Sequence, residues 1–224
     1  MSSKTAGEST PTDDVFRRET ALSGALVGVI AYLLGYAVTF ALVALDSDLT
    51  AEFVSGDRFF EGASDLGIDG LQPDAMEFVG WIFYNAHFVD VVQSSRARDT
   101  GNAGELGIEQ SSNLLSESAT QIPELVYYLV PVAVITMAGY LLARRLEPET
   151  TGGAVLAGGS VTLGYAPLSL LGAFVFATSA SVSLAGVEFS VSMAPNLMMA
   201  IVVAGLVLPI FFGAIGAILG SVVE

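Results

Sequence analysis

The feature that most constrains this chain is a run of 25 residues, 21–45, without one charged side chain. As an α-helix rising 1.5 Å per residue it reaches about 37 Å, enough to cross a hydrocarbon core of about 30 Å with tilt. Three more apolar runs follow, at 123–143, 152–178 and 195–223. In lipid every backbone N–H and C=O needs a partner within the protein, so runs of this length read as spanning helices. Pro123 and Pro195 open two of them, where a missing N–H costs nothing. Composition agrees: 53% of residues are hydrophobic and 14% charged, against about 25% charged in soluble domains. An ordinary soluble domain, a disordered chain and a disulfide scaffold are all excluded, the last because there is no cysteine.

The expected fold class is an all-α membrane protein with four transmembrane helices (21–45, 123–143, 152–178 and 195–223). A long acidic extracellular loop, 46–121, carries one interfacial or re-entrant helix, and a small extracellular β-hairpin covers 181–193. Residues 1–19 are polar and rich in Ser and Thr, which reads as a disordered cytoplasmic tail. Residues 20–224 form a single membrane domain.

Within the loop, 76–92 (MEFVGWIFYNAHFVDVV) is short for a crossing and carries four polar interruptions, Glu77, Asn85, His87 and Asp90. At helical spacing Phe83, His87 and Asp90 share a side, while Phe78, Trp81, Ile82, Phe88 and Val89 spread over the rest. That pattern reads as an interfacial or half-buried helix, with Trp81 and Tyr84 at headgroup level. Residues 93–121 are polar and glycine-bearing and read as flexible, with a short helix near 111–118. Alternation returns at Val182 and Leu184, then Val187, Phe189, Val191 and Met193, around Ala185-Gly186. This is the signature of a two-stranded hairpin.

Charge sets the orientation. Arg17–Arg18 precede the first run and Arg144–Arg145 follow the second. An even number of crossings puts both pairs on one side, which the positive-inside rule makes cytoplasmic. Both termini then lie inside a cell membrane, with the acidic loop and the hairpin outside. The chain's net charge is −15, and 46–121 contributes most of it, with 14 acids and three arginines. One reading is a cation-attracting vestibule. The low lysine content and the acid excess across the whole polar part favour a surface adapted to very high salt. An acidic chain without a basic patch is no nucleic-acid binder.

Chemistry is sparse. His87 is the only histidine and no cysteine is present, so a metal site would need His87 with Glu77 and Asp90. His87 and Asp90 are three apart and can meet on a helix, as a proton-sensitive pair or as an anchor of an interfacial helix. The candidate polar site is therefore His87, Asp90, Asn85 and Glu77. No nucleophile elbow, Walker loop or H-E-x-x-H motif occurs, so no enzyme, catalytic residue, metal or cofactor is expected. Small residues form helix-packing stripes, Gly24, Gly28 and Gly35 in the first run and Gly213, Gly216 and Gly220 in the fourth. Such faces let backbones approach closely, within the bundle or between copies. Pro131, Pro167 and Pro209 lie inside runs, where proline can kink a helix.

The segment Gly80-Trp81-Ile82-Phe83-Tyr84-Asn85-Ala86-His87-Phe88-Val89 resembles one in a family of small haloarchaeal polytopic membrane proteins of unknown function. Ala31-Tyr32-Leu33-Leu34-Gly35-Tyr36 is similar too, and the likeness extends over most of the chain from about residue 20. It implies a haloarchaeal source and a membrane location. Some members carry the label transporter, and the resemblance brings no site residues with it. Two functions stay open: a transport or channel component with His87 and Asp90 near its mouth, or a non-catalytic scaffold or accessory subunit. The second acts through helix–helix association, as a homo-oligomer or with a membrane partner. Water beside helix 76–92 is the mark of the first, and a helix packed on protein or bilayer that of the second.

Overall fold

The computed structural model describes residues 11–55, 73–99 and 105–222. Four helical segments are long and apolar enough to cross a membrane: Arg18–Leu45, Glu124–Leu146, Thr151–Val175 and Leu197–Val222. The first belongs to helix α1 (Pro11–Leu45). This helix begins nine residues before the end of the expected disordered tail. Proline suits a first turn, since its φ is preset and its absent N–H has no helical partner there. Helices α2 (Ser47–Ser55) and α3 (Ala75–Ala86) follow, then strands β1 (Val91–Asp99) and β2 (Glu105–Ser112) and the single turn α4 (Leu114–Glu117). Next come α5 (Glu124–Leu146), α6 (Thr151–Gly159) and α7 (Thr162–Val175), strands β3 (Thr178–Leu184) and β4 (Val187–Pro195), and the last long helix, α8 (Leu197–Val222). Helices α6 and α7 together make the third apolar segment. Both α5 and α7 continue through their prolines, Pro131 and Pro167.

Half of the bundle is held by backbone-to-backbone approach. A Cβ at Gly24 would collide with Ser160, one at Gly28 with the Val161 carbonyl, and one at Gly164 with the Ala25 carbonyl. These contacts set the crossing of α1 with α7. On α8, a Cβ at Gly216 would strike the Thr136 carbonyl of α5, and Gly213 faces both Gly139 and Gly158. Gly220 abuts Tyr140. The glycine stripes are therefore used within one chain, where close van der Waals packing replaces the missing hydrophobic drive between helices in lipid.

The expected isolated hairpin is half of a four-stranded antiparallel sheet, in the order β2-β1-β4-β3. The other half, β1 and β2, lies from Gln93 onward in the stretch expected to be flexible. Ala185 and Gly186 both have positive φ (51° and 85°), the pairing that matches a two-residue hairpin turn to strand twist. Cross-strand register puts Val182, Phe189, Ala97 and Leu106 in one row and Ala180, Val191, Ser95 and Ile108 in the next. Those rows make an apolar face. Its base, Val91 and Met193, is buried in the main core. Glu188 and Arg98, with Ser190, Arg96 and Gly107, occupy the other face. Asp99 pairs with Val187, so both hairpins end on the side away from the bundle.

Candidate functional site

The segment singled out by the sequence is the hub of the structure. From Phe78 to Ala86 every residue of α3 is buried. The helix packs against α1, α4 and α5 and supports β1 and β4, and its Tyr84 side chain reaches α7 at Ser169. Its start is a capping box: Glu77 N–H donates to Asp74 Oδ1 at 2.7 Å and Asp74 N–H to Glu77 Oε2 at 2.9 Å. Glu77 thus satisfies a helix terminus rather than joining His87. Its end is a Schellman turn, with Val89 N–H to Tyr84 O and Phe88 N–H to Asn85 O. The left-handed seat that usually takes glycine holds Phe88 at φ 61°. Phe88 is half exposed and stacks on Tyr128, 5.0 Å between centroids. The helix thus ends at Ala86, shorter than the expected 76–92, and Val91 and Val92 already belong to β1.

Trp81 and Tyr84, expected at headgroup level, are fully buried in protein. The Trp81 indole donates to the Phe176 carbonyl at 2.6 Å. A Cβ on Gly80 would collide with the Phe176 ring, so glycine here lets α3 lie against the end of α7. Gly35 admits the Phe83 ring in the same way.

His87 is buried, and both its ring nitrogens are bonded. Nδ1 lies 2.7 Å from the Phe83 carbonyl and Nε2 2.6 Å from the Tyr165 hydroxyl. A carbonyl only accepts, so Nδ1 carries the proton and Nε2 accepts from Tyr165. Burial pushes the imidazole pKa down to about 4, against the bond to Phe83, which favours the charged form. Asp90 is not its partner. The Asp90 carboxylate accepts from the Ser111 hydroxyl at 3.3 Å, and its carbonyl accepts from Asn196 N–H at 2.9 Å. Asn85 fastens the turn: its amide donates to Val89 O and its carbonyl accepts from Leu114 N–H, both 2.8 Å. The four candidate residues therefore share one helix and its exit turn without converging on a common point.

A second polar thread runs beside His87. The Tyr84 hydroxyl donates to the Ser169 carbonyl. With that proton committed, Tyr32 donates to Tyr84 at 3.2 Å. Ser169 Oγ in turn donates to Ala200 O at 2.8 Å. A Cβ on Gly172 would collide with both the Tyr32 and the Tyr84 hydroxyls. Edge-to-face contacts of Tyr32 with Phe83 and Tyr165, at 5.1 and 5.2 Å, close the cluster. Buried polar groups in such surroundings are costly unless partnered, and these are partnered by protein. The thread pins α1, α3, α7 and α8 together.

Asp46 is a buried carboxylate that sequence reasoning passed over as the start of a loop. Oδ1 accepts from Asp48, Leu49 and Gln121 N–H, and Oδ2 from Ile122 N–H and the Tyr127 hydroxyl, all between 3.0 and 3.2 Å. Burial works to raise its pKa. The N–H groups of Ile122, Gln121 and Leu49 and the Tyr127 hydroxyl outweigh it, so the carboxyl titrates below its ordinary value. One side chain thereby caps α2 and ties it to the start of α5. The signal was available: Asp46-Ser47-Asp48 directly after an apolar run is a helix N-cap pattern. Among the described residues no group of three or more His, Asp or Glu is placed to hold a metal ion.

Fold and site together define a class: a bundle of four helices able to span a membrane, plugged by a short buried helix and topped by an antiparallel sheet. The chain belongs to a family of unknown function, DUF7978, whose model matches residues 1–224. No curated protein and no solved structure matches it.

Proposed function

We propose that this chain is a non-catalytic integral membrane protein, a scaffold or accessory subunit that acts by association. The observation that carries the reading is the enclosure of α3. Phe78 to Ala86 are buried, and both His87 nitrogens are engaged by protein. A transport component with its site at His87 and Asp90 needs that helix beside water and those two groups together. The glycine faces are occupied within the chain, so association runs through surfaces those contacts leave free. Arg18 and Arg144–Arg145 lie toward the bundle end opposite the sheet, since β3 and β4 join the C-terminal end of α7 and the N-terminal end of α8, and Asp46 ties the end of α1 to the start of α5. This supports placing that end in the cytoplasm and the sheet outside a cell membrane. The acid excess supports a halophilic source.

The absence of cysteine makes the test direct. Single cysteines at Ser183, Ala86 and Ser221 would be treated with an impermeant maleimide in intact cells. Label at Ser183→Cys, none at Ser221→Cys until the cells are permeabilised, and protection at Ala86→Cys are the expected results. Rapid label at Ala86→Cys would restore a water-lined site and the transport reading. Label at Ser221→Cys in intact cells would reverse the orientation.

A further inference from the structure

Helix α8 is not wound uniformly. Over Ala200–Val207 its turns are wide, and the amide of Leu208 reaches back five residues to Val203 O. Wide turns of this kind are rare and recur where a helix has a job besides packing. Pro209 supplies the local cause. In an α-helix its ring would crowd the carbonyl four residues back, that of Gly205, and it has no N–H to offer. A neighbouring helix supplies the other contact: Ser169 Oγ of α7 donates to the carbonyl of Ala200, the first residue of the wide stretch. Gly205 lies against Ala166 in the same seam.

The two sides of this stretch are attached to different things. Beyond it, Gly213, Gly216 and Gly220 are seated against the backbones of α5 and α6, so that half of α8 cannot rotate without breaking close packing. Before it, Asn196 caps the helix and bonds Asp90, and the chain passes directly into the central strand β4. A change from wide to α winding shifts register by a residue, worth about 100° of rotation in an α-helix. With one half clamped, that turn falls on the half that runs into β4, and the buried base of the sheet at Val91 and Met193 holds it to part of that angle.

We propose that Ala200–Val207 is a hinge at which the sheet turns relative to the bundle, with Pro209 setting the wide winding and the Ser169 hydroxyl latching it. The hinge stands whether or not the association reading above is right, since it concerns how the sheet is held and not what it meets.

The full chain in lipid nanodiscs, with nitroxides at Ser183→Cys near the sheet's far edge and Ser221→Cys in the clamped half, reads the hinge as one distance. The unaltered latch gives a single narrow distribution, and so does Ser169→Thr, which keeps the hydroxyl. Ser169→Ala and Pro209→Ala are each expected to move the mean or add a second population. Trp81 emission, unchanged, certifies that the α3 region is folded. Distributions identical to the parent in both folded variants overturn the hinge. So does loss of the folded state in both, because a hinge survives the loss of its latch. If only one variant folds, its distribution decides.

Discussion

The two halves of this bundle are held by opposite means. At the sheet end, α3 is gripped by large side chains and by polar atoms with named partners: Trp81 on Phe176, His87 on Tyr165, Tyr84 on Ser169. At the other end α5, α6 and α8 meet at Gly139, Gly158, Gly213 and Gly216, where the contact is main chain on main chain. Side-chain anchoring tolerates irregular elements, and here it accommodates a short helix, a left-handed turn and a strand within the 25 residues from Ala75 to Asp99. Glycine seams demand close approach of helix backbones but no particular chemistry. The half that carries polar groups is thus the half where the fold departs from a plain bundle.

The sharpest way to break the contrast is Trp81→Ala. It removes a fully buried indole and its bond, at about 3–5 kcal/mol, and should sharply lower the SDS concentration of half-unfolding. An unchanged midpoint would mean that α3 is not the keystone of its half.

Acid separates the two halves next. His87 is neutral when folded and titrates near 4 instead of 6.5, so the folded state binds fewer protons than the unfolded one between those values. Its contribution is full above pH 6.5 and is lost as the pH falls toward 4, of order 3 kcal/mol. Asp46 has the same sign in a lower window: its contribution is present above 3.8 and is lost as the pH falls through its depressed folded value. Stability measured from pH 7 to 4.5 should therefore decline, and His87→Gln should flatten the decline. A slope that survives His87→Gln would assign it elsewhere.

Gly216→Ala tests the opposite half. The new methyl meets the Thr136 carbonyl, and forced separation of α5 and α8 costs about 1–3 kcal/mol. The unfolding midpoint should drop while the native emission of Trp81, the only tryptophan, keeps its wavelength. A shifted emission would show that strain crosses from one half to the other. The smallest effect is expected from Phe88→Gly. Relief of a left-handed residue, about 1–2 kcal/mol, is offset by the lost stack on Tyr128, about 0.5–1.5 kcal/mol. The midpoint should stay near the parent's, and a large loss would make the Phe88–Tyr128 stack a principal tie between α3 and α5.

What the sequence by itself determined was everything governed by a long uniform pattern. Four apolar runs became four helical segments long enough to cross a membrane, because apolar transfer is summed over some twenty residues and no local accident reverses it. The Ala185-Gly186 turn was legible too, since alternation on both sides fixes a hairpin locally. The capping box at Asp74 and Glu77 and the cap at Asp46 were written in short motifs that a search for chemistry overlooks. Tertiary structure decided the rest. β1 reads VVQSSRARD, with no alternation, and is a strand because β2 and β4 satisfy its backbone from both sides. The amphipathic spacing of Phe83, His87 and Asp90 suggested a helix on a surface. The bundle instead supplies a partner for every face, through Phe176, Tyr165 and Tyr32, residues about 50 to 100 positions away. A polar residue's meaning is set by the group that meets it, and neither spacing nor composition carries that information over such distances.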